Sequence, residues 1–411
     1  MATQQVFLHI GLHKSGTTYL QQLMRMNRSA LAAQGLHVPG GRGEPNRTFA
    51  VYDLFGRRPR GSGDDRITGQ WDAMTRALMD TEAPRALLSE EALSLASVAQ
   101  ARKAVRSFPD CDVRVVVTVR DLARVALSAW QEDVKTDETW TWRTYADALA
   151  DPGARATSPA RGFWLRQDVP AVLDVWAAVL PADRIHVVTV PPPGAEAAEL
   201  TRRFSRVVEF DAAGLDTEVD WGNTSMGAAG TEVLRRANEH LHRRLNQRQY
   251  HDVVETTLAP LLAEAAGSER LRLPEVDAGW VSREADRMVA SVREAAYPVV
   301  GDLGDLVPRP DSGGREPGKA TEPELLEVAV LALAGLTERF ALAKWQRRRP
   351  DAGVEAPLGT RAASSARSLA FRAKRVGINA ADSNPVAERG LGVFLRTRAA
   401  WRARRRAKTR R

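Results

Sequence analysis

The sequence predicts an α/β fold, a parallel sheet covered by helices, followed by a C-terminal helix and a basic tail. Three observations predict it. Over the first 300 residues, short β-branched runs alternate with longer helical patterns, the order expected of parallel strands joined by helices. The chain opens with a strand, a glycine-containing loop and a helix in immediate succession. Charge is divided sharply, because residues 344–411 hold 19 Lys and Arg against 4 Asp and Glu.

The strands are expected at Gln5–Ile10, Ala86–Ser89, Val113–Val119 and Ile185–Val190. Their near-continuous apolar character fits strands buried on both faces rather than on one. After the first strand, Thr17–Ala33 reads as a helix whose Leu20, Leu23, Met24 and Leu31 can pack on the sheet. Asp168 caps a helix in which Val169, Val172, Leu173, Trp176, Val179 and Leu180 recur at helical spacing, and Trp176 within it reads as core. Further helical patterns cover Thr231–Leu245, His251–Ala266 and Ser282–Glu294. Gly40–Asp65 reads as a long surface loop, and Pro191-Pro192-Pro193-Gly194 ends the fourth strand.

A globular domain is expected over residues 1–307, a Gly- and Pro-rich linker over 308–323, an amphipathic helix over 324–346 and a basic tail over 347–411. The tail is too poor in large apolar residues to build its own core and is expected to be disordered, or to fold on a partner. The whole-chain charge of +8 conceals this division, since residues 1–343 carry a net −7. Clustered cations attract anionic lipid, a polyanionic acceptor or nucleic acid, although no aromatic-basic reading module accompanies them. The single cysteine, Cys111, excludes an intrachain disulfide and a thiolate metal cluster. No export leader is expected, because Met1–Gln5 run straight into a strand-like segment, and the longest apolar stretch, Val328–Leu336, is far short of the ~20 residues a spanning helix needs. The chain is accordingly expected to be cytoplasmic, with the tail able to hold it at a membrane surface.

The loop is Gly11-Leu12-His13-Lys14-Ser15-Gly16-Thr17-Thr18. Two glycines permit a tight path, and amides at the start of a helix face an anion together with the helix dipole. This is a P-loop-like arrangement, with an ordinary Gly-Thr turn as the bland alternative. The ATP and GTP version of the motif places lysine directly after the second glycine; here that site is Thr17, and the lysine is Lys14, inside the loop. The third strand ends Val117-Thr118-Val119-Arg120, a cation where such enzymes hold magnesium with an aspartate, although Asp121 follows one residue later. Arg120 offers a charge-assisted fork and Ser128, eight residues on, a hydroxyl; the alternative is a solvated charge and a helix-surface hydroxyl.

The segment Leu8–Gln22 resembles the 5′-phosphosulfate loop of sulfotransferases that use 3′-phosphoadenosine 5′-phosphosulfate (PAPS), and Arg120 with Ser128 resembles that family's 3′-phosphate motif. Phe163–Asp168, Val187–Gly194, Asn223–Gly227 and Val299–Leu303 also look like bacterial members, so the resemblance spans residues 5–307. It implies a sulfotransferase-like fold and PAPS as co-substrate, held by His13, Lys14, Ser15, Gly16, Thr17, Thr18, Arg120 and Ser128. It further implies transfer without a metal, and no convincing metal-ligand spacing occurs.

Sulfuryl transfer needs in-line positioning, compensation of charge on the leaving phosphate, and a base for the acceptor. Lys14 is the natural electrostatic element. The second strand ends Leu87-Leu88-Ser89-Glu90-Glu91, at the sheet edge where α/β sites form. Resemblance to a Ser-x-Glu pattern ranks Glu91 first as base and Glu90 second; His13 can assist, and helix capping is the alternative role for both acids. The acceptor, a carbohydrate, lipid or small metabolite, is expected to meet the loops at Gly40–Asp65 and Trp130–Ala160. Two readings compete: a P-loop kinase of a small molecule, and a non-catalytic nucleotide-fold protein working through its tail.

Overall fold

The computed structural model describes residues 3–41, 43–57, 66–218, 225–242, 244–267, 269–309 and 313–348. The expected basic tail therefore lies, beyond Arg348, outside the described residues. The chain divides into two units, Met1–Thr337 and Glu338–Arg411.

The first unit is built on six strands: β1 (Gln5–His9), β2 (Leu36–His37), β3 (Arg85–Ser89), β4 (Asp112–Val119), β5 (Ile185–Thr189) and β6 (Val299–Val300). They form one sheet in the order β2-β3-β1-β4-β5-β6, with every pair parallel. Leu8 of β1 stands opposite Leu88 of β3 on one side and Val115 of β4 on the other. The four central strands coincide with the apolar runs of the sequence. β2 and β6, two residues each, are too short to show a period.

Alternation along the strands feeds two cores, one on each face of the sheet. Val6, Leu8, Val113, Val115, Val117, Ile185 and Val187 belong to the larger, whereas Phe7, Leu87, Val116 and Val188 belong to the smaller. The smaller face is covered by α1 (Thr17–Met26) and α2 (Arg28–Ala33), which lead to β2, and by the helix Glu199–Val208. Tyr19, Leu20, Leu23 and Met24 are the buried stripe that seats α1. The larger face takes α3 (Arg47–Leu54) and α4 (Gln70–Met79) ahead of β3, α5 (Val98–Arg106) between β3 and β4, and four helices between β4 and β5. These four are α6 (Leu122–Lys135), α7 (Trp142–Ala150), α8 (Ala160–Gln167) and α9 (Val169–Ala177). Asp168 accepts from the Ala171 amide to cap α9, and Trp176 is fully buried, as the sequence indicates. After β5 come α10 (Glu199–Val208), α11 (Gly227–Leu241), α12 (Gln247–Tyr250), α13 (Ala259–Ala266) and α14 (Ala278–Glu294). A π-helical stretch, His251–Leu258, joins α12 to α13.

The described part of the expected linker is not a free spacer. Arg315 bridges to Leu271 and pairs with Glu269 at 3.1 Å and Glu324 at 2.8 Å, while Glu316 pairs with Arg272 at 3.0 Å. The helix expected over 324–346 runs as α15 (Glu322–Arg348), but not with the expected amphipathic division: Leu325, Val328 and Ala332 are buried in the larger core, while Leu326, Val330, Leu331 and Leu333 are exposed. Gly and Pro mark turns in a chain; they do not mark an absence of contacts.

β1 sends its connection across β3 to the edge strand β2, and β4 sends its own the opposite way to β5. The loops leaving their carboxyl ends thus diverge and open a crevice, the place where ligands bind in open α/β sheets.

Candidate functional site

The loop after β1 is tied to β4 before it turns. The Ile10 amide donates to Val116 O at 3.0 Å and the Leu12 amide to Thr118 O at 3.0 Å. The chain then folds back through positive φ at Gly11 (26°), Lys14 (65°) and Gly16 (85°). A Cβ on Gly11 would sit 2.2 Å from Thr17 Cγ2, and one on Gly16 would sit 2.6 Å from a Leu200 methyl. Lys14 is the non-glycine residue in this left-handed path, a conformation that costs ~1–3 kcal/mol and clusters at ligand sites. Ser15 is buried, with its hydroxyl on Leu12 O and 2.8 Å from Thr118 Oγ1, so it braces the loop from inside. Gly16 caps α1 with no side-chain cap bond, which leaves the first-turn amides and the positive end of the helix directed at the crevice.

Below the loop, His9 is fully buried, its Nδ1 2.7 Å from Ser89 Oγ and its Nε2 3.2 Å from Thr118 Oγ1. Burial drives its pKa down to about 3, so it is a neutral pin joining β1, β3 and β4.

The two acids after β3 diverge. Glu90 is buried and faces α3, where Thr48 Oγ1 donates to it at 3.0 Å and Arg47 Nε lies at 3.5 Å. Burial raises its pKa against the pull of those two partners. Glu91 opens a short 3-10 turn, accepts a hydrogen bond from the Thr17 hydroxyl and lies 4.0 Å from His13 Nε2. It lines the crevice with His13, whereas Glu90 does not. Burial lowers the His13 pKa, with Glu91 opposing and Arg166 and Lys14 reinforcing, so the ring is neutral at pH 7.

Beyond β4, Arg120 Nη1 donates to Lys14 O at 3.3 Å. Its Nε is buried with no partner among the described residues. Burial, with Arg124 and Arg270 adding repulsion and Asp121 opposing, brings its pKa down to about 10, so it remains a cation. Asp121 is committed elsewhere: it accepts from the Arg124 amide at 3.0 Å to cap α6 and pairs with the Arg124 side chain. Ser128, two turns along α6, faces the same crevice as Arg120.

The crevice holds about 330 Å³. It gathers His13, Lys14, Gly16, Thr17, Thr18, Arg120 and Ser128 from the expected donor-binding residues and Glu91 from the expected bases. Ser15 stands behind the loop and Glu90 turns away. Sequence reasoning missed the wall opposite the loop, where α6 adds Gln131, Glu132 and Lys135 at positions +3, +4 and +7 from Ser128. That helical spacing is the signal that could have found them. Arg166 and Gln167 of α8 complete this wall, and Gln167 Nε2 donates to His13 O at 2.8 Å. The expected acceptor loops are largely not loops: 130–160 is mostly helical and enters the crevice only through Gln131, Glu132 and Lys135 at the end of α6, and the described part of 40–65 contains α3 and does not line it. Ser225 lines it too, 3.2 Å from Gln131 Nε2, while Asn223 and Thr224 lie outside the described residues. Four cations, Lys14, Arg120, Lys135 and Arg166, face two carboxylates, Glu91 and Glu132, so the crevice favours an anion. Among the described residues no group of three His, Cys, Asp or Glu side chains is arranged as a metal site.

No protein-family model and no curated protein matches the chain. Among solved structures it is similar to a sulfotransferase from Alicyclobacillus acidocaldarius, with 18% identity and a TM-score of 0.36 over 52% of this chain and 85% of that one.

Proposed function

We propose that the chain is a sulfotransferase that moves the sulfuryl group of PAPS to a hydroxyl or amine of a carbohydrate, lipid or small-metabolite acceptor. The observation that carries the reading is convergence. Lys14 from the loop, Arg120 from the end of β4 and Ser128 from α6 meet in one crevice with the uncapped start of α1. A nucleotide bearing anionic groups at both its 5′ and 3′ positions would take the loop amides and Lys14 for one group and Arg120 with Ser128 for the other. The orphaned Arg120 Nε is a buried donor that such an anion would satisfy.

PAPS supplies the sulfuryl group and, as leaving group, 3′-phosphoadenosine 5′-phosphate. The amides of Gly16, Thr17 and Thr18 hold the 5′-phosphate side, and Lys14 neutralises charge on the oxygen whose bond to sulfur breaks. Arg120 and Ser128 hold the 3′-phosphate. Glu91 accepts the proton from the acceptor as the new bond to sulfur forms, and the Thr17 hydroxyl, which donates to it, keeps that carboxylate in place. Asp121, already bonded through both oxygens to Arg124, is not free in the way a kinase's magnesium ligand must be.

The test is transfer of labelled sulfate from PAPS into a cell extract, followed by mass spectrometry of the product. A labelled acceptor is the expected result, and no transfer to any component would overturn the proposal. We also propose that the basic segment beyond Lys344 meets an anionic lipid surface or polyanion. Removal of residues 349–411 is then expected to abolish sedimentation with anionic vesicles, and unchanged sedimentation would refute it.

A further inference from the structure

Lys14 does not point freely into the crevice. Its ammonium crosses to α6 and donates to Glu132 Oε2 at 2.8 Å, joining residues 118 positions apart. Its carbonyl meanwhile accepts from Arg120. Backbone and side chain of this one residue are thus fixed by two different elements. Glu132 is charged at neutral pH: burial works to raise its pKa, but Lys14, Lys135 and Arg166 together hold it below the ordinary carboxylate value. Lys135, one turn further along α6, stands 3.9 Å from the same carboxylate oxygen.

Resting on the donor-binding reading of the loop, we infer that Glu132 is a positioning residue that holds the Lys14 ammonium over the loop and yields it to the incoming anion. The exchange leaves no charge stranded. When Lys14 turns to the anion, Lys135 remains as counter-charge to Glu132, and on release Lys14 returns to it. Glu132 thereby weakens anion binding, since the anion must compete for Lys14, and in return delivers Lys14 from a fixed position. A partly exposed pair of this kind has a modest strength, so the competition is expected to amount to about three- to tenfold in affinity.

Glu132→Gln keeps the side-chain shape and removes the charge. In calorimetry it is expected to bind 3′-phosphoadenosine 5′-phosphate and inorganic pyrophosphate about three- to tenfold more tightly, while kcat falls. Most of that gain should vanish in a Lys14→Ala background, and Glu132→Asp should return the affinity toward wild type, which a merely structural loss would not do. Competitive acylation of Lys14, followed by mass spectrometry, should run several-fold faster in Glu132→Gln without any nucleotide. Unchanged affinity and unchanged Lys14 reactivity would overturn the inference and leave the donor assignment standing. Faster labelling and tighter pyrophosphate binding, in a protein that ignores 3′-phosphoadenosine 5′-phosphate, would instead overturn the donor assignment and support the role of Glu132.

Discussion

In the loop after β1, Gly11, Lys14 and Gly16 hold positive φ, and a Cβ at either glycine would strike a neighbour. On the wall opposite, Ser128, Gln131, Glu132 and Lys135 occupy successive turns of an ordinary helix whose other side is buried in the larger core. The loop carries its shape in its own residues, so its chemistry can be read locally. The wall acquires its chemistry only because packing of α6 brings one of its faces to the loop. An anion held between them, as proposed, would meet a backbone-fixed cradle on one side and exchangeable charges on the other.

The largest expected effect separates the two acids at the edge of the sheet. Glu91→Gln should lower kcat about a hundredfold or more, the scale of a lost general base, whereas Glu90→Gln should leave kcat within about twofold. Equal losses in steady-state assays of the two variants would break the distinction between them. Next, Gly16→Ala forces a side chain into the left-handed region and against Leu200, and is expected to cost ~1–3 kcal/mol in denaturant titrations together with nucleotide binding. A stable variant with normal affinity would show that the loop is not the rigid half of the site.

The smallest effect concerns stability and pH. The folded-state pKa of Glu90 is raised by burial, so its contribution to stability is present at low pH and is lost as pH rises through that raised value. Glu90→Gln should therefore raise Tm at pH 7 relative to wild type by a few degrees at most, and the advantage should shrink toward pH 4. A larger advantage at pH 4 than at pH 7 would contradict the assigned burial.

Legibility in the sequence follows the same line. The central strands were visible because burial on both faces leaves unbroken apolar runs, as in Val113–Val119, while Val299-Val300 offers no period to read. The loop was visible because glycine spacing and a displaced lysine are local facts. Glu90 and Glu91 are indistinguishable as letters; one residue of advance past the strand turns the first toward Thr48 and the second toward Thr17. Glu132 was missed because its partner lies 118 residues away. The stretch after Pro308 looked like a spacer because turn-forming composition cannot reveal that Arg315 is paired with Glu269 and Glu324.

If the chain uses PAPS, the crevice must bind a nucleotide anionic at both its 5′ and 3′ ends. Calorimetric titration with 3′-phosphoadenosine 5′-phosphate in the absence of magnesium, beside ATP with magnesium, tests it most directly. Tight binding of the former that falls about ten- to hundredfold in Arg120→Ala is the predicted result, the loss expected for charge-assisted hydrogen bonds. Preferential binding of ATP with magnesium, or an Arg120→Ala variant with wild-type affinity, would contradict it.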